Sequence, residues 1–145
     1  MGESYRPLPH DRMHIYLDEN LSEHVAQGLQ LLSQSHFKDI QVLSTKQDKD
    51  LGPGVKDPEL IPIVAQKHGV LITKDIRMRT QVLFALCQQY KLGIFFLKMP
   101  SGKEAHWDIV RVLIENWEEI VKHTRKEKRP FAFVVKSRGK MEQLK

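Results

Sequence analysis

The sequence predicts an α/β fold, a mostly parallel central sheet covered by helices on both faces, and three observations predict it. Short apolar runs alternate along the chain with amphipathic stretches of helical period. The apolar runs are hydrophobic at consecutive positions, so each strand would have no wet face, as in a parallel sheet covered on both sides. No fixed-period repeat or low-complexity segment interrupts the alternation. With 145 residues the chain fits one domain, 1–145, since domains cluster near about 100 to 150 residues.

The elements follow in order. "MHIYL" (13–17) is a strand, and "LSEHVAQGLQLLSQ" (21–34) a helix whose Leu21, Val25, Ala26, Leu29 and Leu32 share one core face. Asn20, three residues before Glu23, has the spacing of a helix cap. "DIQVLS" (39–44) is a second strand. The polar "TKQDKDLGPGVKD" (45–57), with Gly52, Pro53 and Gly54 clustered, must be a loop, and loops of that length tend to carry function. "PELIPIVAQKHG" (58–69) is a helix ended by Gly69 and distorted near its start by Pro62. "VLITK" (70–74) is a strand, "RMRTQVLFALCQQYK" (77–91) a helix and "LGIFFLK" (92–98) another strand. The longest helical pattern, 102–126, places Trp107, Val110, Leu113, Ile114, Trp117 and Val121 on one side. "PFAFVVK" (130–136) closes as a strand before a polar tail.

Composition excludes several classes. Hydrophobic content of 41% and charged content of 28% fit a soluble globular protein, and no apolar stretch reaches the roughly 18 residues that span a bilayer. The first thirteen residues lack the apolar core of a secretory signal. One cysteine, Cys87 in "QVLFALCQQY", excludes an internal disulfide and a cysteine zinc cluster, which makes a reducing cytoplasm the expected setting; Cys87 itself reads as a small buried helix residue. The histidines are scattered and no phosphate-cradling glycine loop is present, so zinc and P-loop or dinucleotide chemistry have no support.

The net charge of +5 is unevenly spread. Residues 1–97 balance eleven Lys/Arg with eleven Asp/Glu, whereas residues 98–145 hold twelve against seven. Within that excess lie "KHTRKEKR" and "KSRGK". They read either as a solvated helix end and tail or as a phosphate-contacting face, with Lys126, Lys128 and Arg129 as candidate contacts.

The chemistry is sought at the carboxyl ends of the strands, where open α/β sheets bind ligands. Asp18 follows the first strand, Asp75 follows "VLIT", and Asp57 opens the helix that leads into that strand, so all three are expected at one edge. Three converging carboxylates suit a hard divalent cation, Mg²⁺ or Mn²⁺, and predict metal-assisted phosphodiester hydrolysis. Asp57 before Pro58 also fits a plain helix start, and both readings stay open. Asn20 is a supporting candidate; Glu19 and Glu59 read as solvated.

"IYLDENL" followed by "DPELIPIVAQKHGVLITKD" resembles the PIN-like domain superfamily, in particular its VapC-type toxin branch. Asp57 and Asp75 stand eighteen positions apart, as in that family, and "GIFFLK" with the long Trp-bearing helix extends the resemblance over nearly the whole chain. The resemblance implies a Rossmann-like PIN fold and an Mg²⁺- or Mn²⁺-dependent endoribonuclease acting on RNA. It further implies a protein antitoxin, with dimerisation left open. Asp18, Asp57 and Asp75 match the family's acidic positions and Asn20 a polar one. The chain departs from the pattern twice: the mid-chain acid has only Asp48 and Asp50 as counterparts, and "IRMR" follows Asp75 where many relatives carry a second Asp. A reduced acidic set admits an alternative, a module that binds RNA or a partner without cutting. Fragments "KDIRM" and "LKMP" are similar to a phosphoacceptor receiver domain, but only one helix separates Asp75 from Lys98, which is the wrong spacing.

Overall fold

The computed structural model describes residues 13–48, 50–51, 57–74, 81–99, 102, 105–137 and 141–144, with Asp57, Pro58 and residues 81–83 described by backbone alone. The strands are β1 (Met13–Leu17), β2 (Ile40–Ser44), β3 (Gly69–Thr73), β4 (Gly93–Leu97), β5 (Phe131–Val135) and β6 (Glu142–Gln143). The helices are α1 (Glu23–Ser33), α2 (Asp57–Gln66), α3 (Gln81–Gln89) and α4 (His106–Lys126). They build one six-stranded sheet of order β2-β1-β3-β4-β5-β6. Its first five strands are parallel, with β6 antiparallel along β5.

Alternation of side chains along each strand divides the core in two. Ile15, Leu17, Ile72, Phe95 and Phe133 point to the face covered by α1 and α4. Tyr16, Leu71, Ile94, Phe96 and Ala132 point to the other, where Leu60, Ile61 and Val64 of α2 and Cys87 of α3 meet them. Every residue of β3, β4 and β5 is buried, as consecutive apolar positions require in a sheet covered on both faces. The α/β architecture with helices on both faces agrees with the expectation from sequence, and Cys87 is buried as expected.

Three expectations are corrected. Residues 142–143 of the tail form β6, because β5 would otherwise expose a row of unpaired backbone groups; Leu144 N–H donates to the Ala132 carbonyl at 2.8 Å beyond the ladder. In α4 the buried stripe is Ile109, Val112, Leu113, Trp117, Ile120, Val121 and Thr124, so Trp107 and Ile114 leave the expected core face and stand exposed. In α1 the buried residues are Ala26, Leu29 and Ser33, and Leu32 is exposed. Both helices carry wider apolar stripes than the sheet covers, and the surplus faces a groove between them. Pro62 lies within a helix that runs unbroken over Asp57–Gln66.

Candidate active site

The strand order reverses between β1 and β3, and the chain leaving β1 places Asp18 at that point on the carboxyl edge. Its N–H donates to the Ile72 carbonyl at 3.0 Å, joining the first residue beyond β1 to β3. The carboxylate is held at both oxygens. Thr73 Oγ1 donates to Oδ2 at 2.5 Å, and the Asn20 N–H donates to Oδ1 at 2.6 Å. Leu21 N–H closes a turn onto the Asp18 carbonyl at 2.9 Å, with the Leu21 side chain buried beneath. Asp18 is only 7% exposed, so its orientation is fixed by bonds and packing together. Carboxylates are seldom so buried unless paired, which sets this acid apart from an ordinary strand end.

This turn also explains why Asn20 does not cap α1. Its backbone N–H is committed to Asp18, and the helix starts two residues later, with Ser22 as cap: Ser22 Oγ accepts from the His24 N–H at 3.1 Å.

A cleft of about 360 Å³ opens at the same edge, with the turn after Asp18 as one wall. Glu19, Asn20, Lys46, Lys74 and His106 line it. Lys46 rides on a short 3₁₀ turn after β2, where Ser44 Oγ accepts the Lys46 N–H at 3.2 Å and Gln47 Oε1 accepts the Ser44 N–H at 3.0 Å. Lys74 follows Thr73 directly and is exposed. Glu19, expected as a solvated bystander, forms part of the cleft wall.

The remaining predicted residues are placed as follows. Asp57 begins α2, a ten-residue helix about 15 Å long that runs back to the amino edge before β3. The backbone of Asp57 therefore stands toward the carboxyl edge, and its side chain lies outside the described residues. Asp75 also lies outside the described residues; the chain leaves β3 at Thr73, the residue bonded to Asp18. Among the described residues no group of three or more His, Cys, Asp or Glu is gathered that could hold a metal. The donors that are described at this edge, the carboxylate of Asp18, the amide of Asn20 and the hydroxyl of Thr73, are of the hard oxygen kind that Mg²⁺ or Mn²⁺ takes.

Lys126, Lys128 and Arg129 are not brought to this cleft. Helix α4 begins at the cleft with His106 and spans 21 residues, about 31 Å, toward the amino edge. Arg129 is moreover engaged within the protein, donating to the carbonyls of Thr124 at 3.3 Å and His68 at 3.4 Å and lying over the Phe131 ring. Arg125 likewise forms a two-bond pair with Asp39, which holds that carboxyl below its ordinary range.

Asp48 and Asp50 belong to a different cluster, on the α2 face. Tyr16 Oη donates to Asp48 Oδ2 at 2.6 Å, while Lys67 Nζ lies 3.3 Å from Asp48 Oδ1 and 2.6 Å from Asp50 Oδ2. The carbonyl of Lys67 contacts His14 Nδ1 at 3.2 Å, near the start of β1. These two acids are thereby drawn toward the amino end of β1 and away from the Asp18 turn. Burial, then the Asp48 acceptor and the nearby negative charges, push the Tyr16 hydroxyl far above its ordinary range, so it remains a donor. Burial acts to raise Asp48, but the bonds from Tyr16, the Asp50 N–H and Lys67 outweigh it and hold the carboxyl below its ordinary value of 3.8.

A testable consequence follows for Tyr16→Phe. A carboxylate depressed on folding contributes stability above its unfolded pKa and loses it as pH falls through the folded one. Removing the Tyr16 hydroxyl is expected to cost about 1–3 kcal/mol at pH 7. The difference from wild type should narrow below about pH 4, as Asp48 is protonated. Urea denaturation at pH 7 and pH 3 checks it; an equal difference at both would refute the coupling.

Sequence reasoning missed Thr73, Lys46, Lys74 and the exposure of Trp107. A hydroxyl at the last position of the apolar run "VLIT" was the available signal for Thr73.

A doubly wound sheet with a buried, hydrogen-bonded carboxylate at its switch point defines a Rossmann-like α/β domain with a site at the carboxyl edge. The chain belongs to the PIN-like domains: the family model described as a PIN like domain matches residues 13–99, more than half its length. This is a nuclease-type fold whose members typically use divalent metals. No curated protein and no solved structure matches the chain.

Proposed function

We propose that the protein is an Mg²⁺- or Mn²⁺-dependent endoribonuclease, and the toxin of a type II toxin–antitoxin pair of the VapC type, acting in the cytoplasm. The observation that carries the reading is Asp18: a buried carboxylate fixed through both oxygens at the switch point of a sheet from a nuclease-type family. Asp18, Asp57 and Asp75 would hold the ion, which supplies Lewis acidity and charge neutralisation for phosphodiester hydrolysis. Thr73 and the Asn20 N–H aim the Asp18 carboxylate, while Asn20 forms part of the wall beside it. Burial of the sheet edge under Leu21 limits the freedom of the turn and keeps that aim constant. A protein antitoxin is the expected partner.

A second reading, an RNA- or partner-binding module without turnover, is favoured by one observation. Asp48 and Asp50, the candidates for a further acid, are tied to Tyr16 and Lys67 instead. The two readings separate on incubation of purified protein with unstructured RNA. Cleavage with Mg²⁺ or Mn²⁺ that stops on chelation supports the nuclease, and RNA retention without turnover under every divalent ion tried supports the binding module.

A further inference from the structure

Three connections enter the sheet side by side at its amino edge, the edge opposite the Asp18 cleft. In register, Val70 of β3, Gly93 of β4 and Phe131 of β5 form one row. Two residues upstream of that row stand His68, Lys91 and Arg129, one in each connection. Neighbouring strands lie about 4.8 Å apart, which brings three such side chains within reach of one small ligand. Lys126 and Lys128 add exposed ammonium groups beside them, at and just beyond the end of α4.

Gly93 shapes the spot. The Phe131 ring leans across it, into space where a Cβ would stand 2.4 Å from two ring carbons. Arg129 lies over that ring, its guanidinium carbon 5.5 Å from the centroid, and so extends across β4 to the His68 carbonyl. The guanidinium is half-buried, yet the acceptors it meets among the described residues are two backbone carbonyls, Thr124 at 3.3 Å and His68 at 3.4 Å. Both bonds exceed the ordinary distance of about 2.9–3.0 Å and use only part of its donor set. The α4–β5 connection itself holds one acid, Glu127, against Lys128 and Arg129, while Asp39 is engaged by Arg125. Burial draws the Arg129 pKa below its ordinary value, a shift that a bound anion would oppose.

His68 and Lys91 both adopt left-handed backbone, with φ of 54° and 59°. They follow the ends of α2 and α3, where glycine is the ordinary choice. The partial negative charge of helix ends attracts cations to this edge in any case, but it does not require them in a conformation that disfavours side chains. The chain keeps two nitrogen-bearing side chains where glycine would sit unstrained.

We propose that His68, Lys91 and Arg129 form an anion site at the amino edge whose ligand is a phosphate group, with Lys126 and Lys128 as outer positive charges. Arg129 supplies a planar fork, Lys91 a point charge and His68 an imidazole N–H, donors that one tetrahedral phosphate accepts together. The site is separate from the Asp18 edge and independent of any hydrolysis there.

The test follows backbone amide NMR shifts of the full chain in EDTA at pH 7, with inorganic phosphate titrated against chloride at equal ionic strength. Phosphate, but not chloride, is expected to move the amides of His68, Lys91 and Arg129 saturably and to leave those of Asn20 and Leu21 in place. Lys91→Gly should fold at least as well as wild type, because glycine takes the left-handed conformation freely, while phosphate affinity falls roughly fivefold. Arg129→Lys keeps the charge but loses the fork, and should cost roughly tenfold. An oligouridylate of about eight nucleotides without terminal phosphates separates the sources of the group. Shifts at the same three amides, weakened in the same variants, assign the phosphate to an RNA backbone; a response to inorganic phosphate alone assigns it to the free ion. No saturable shift with either probe would overturn the proposal, as would wild-type affinity in both variants. An equal response to hexaglutamate would also overturn it, making this edge a docking face for acidic protein.

Discussion

Asp18→Asn is expected to lower RNA cleavage on the order of 10²- to 10³-fold at fixed Mg²⁺ or Mn²⁺, the usual cost of deleting one electrostatic contact to a reacting centre. The substitution is nearly isosteric, so it tests charge apart from shape. An amide oxygen can still accept the Asn20 N–H, and the Thr73 hydroxyl can rotate to accept from the new NH₂ group in place of donating to Oδ2. The turn to Leu21 and the bond to Ile72 use only the Asp18 backbone and should survive. The variant should therefore unfold at about the urea concentration of wild type while losing activity. Equal cleavage by wild type and variant at matched metal would remove Asp18 from the reaction and, with it, the strongest support for the nuclease reading.

The carboxylate could be found from sequence because an acid directly after a buried strand is unusual and the carboxyl-edge rule gives it a use. Its neighbours could not be found in that way. Lys46 and Lys74 are 28 residues apart in the chain, and only the strand order β2-β1-β3 brings them to either side of Asp18. The basic run at 122–129 was conspicuous by composition. Yet α4 carries it to the far edge, and Arg125 and Arg129 spend their guanidinium groups on Asp39 and on backbone carbonyls. Helix α4 misled for a different reason. Its apolar residues occupy two overlapping stripes, and periodicity alone does not say which one the sheet takes. Packing against β4 and β5 selects the stripe through Leu113, Trp117 and Val121, and leaves Trp107 outside. Strand β6 has no apolar pattern at all, since its pairing is decided by the open edge of β5.

The largest expected loss of stability is from Phe95→Ala, about 3–5 kcal/mol. Phe95 lies in β4, inside the sheet, and is fully buried. Its ring meets Phe131 edge-on at 5.3 Å between centroids and Phe133 in a stack at 6.1 Å, against the helix layer of α1 and α4. Truncation opens a cavity that these neighbours can fill only in part. The Phe131 ring already occupies the space above Gly93, where an added Cβ would stand 2.4 Å from two of its carbons, and Phe133 is held on its other side by the His123 ring at 4.6 Å. Because whole domains are stable by only about 5–15 kcal/mol, the variant should lose roughly a fifth or more of the total. The urea midpoint should fall with the slope of the transition unchanged, which separates a weaker core from a change in the extent of unfolding. Trp107→Ala, at an exposed site, is the matched control and should stay within about 0.5 kcal/mol of wild type. A Phe95→Ala loss below about 1 kcal/mol would mean that the two flanking rings close the cavity, and that this aromatic cluster is far less rigidly packed than its geometry requires.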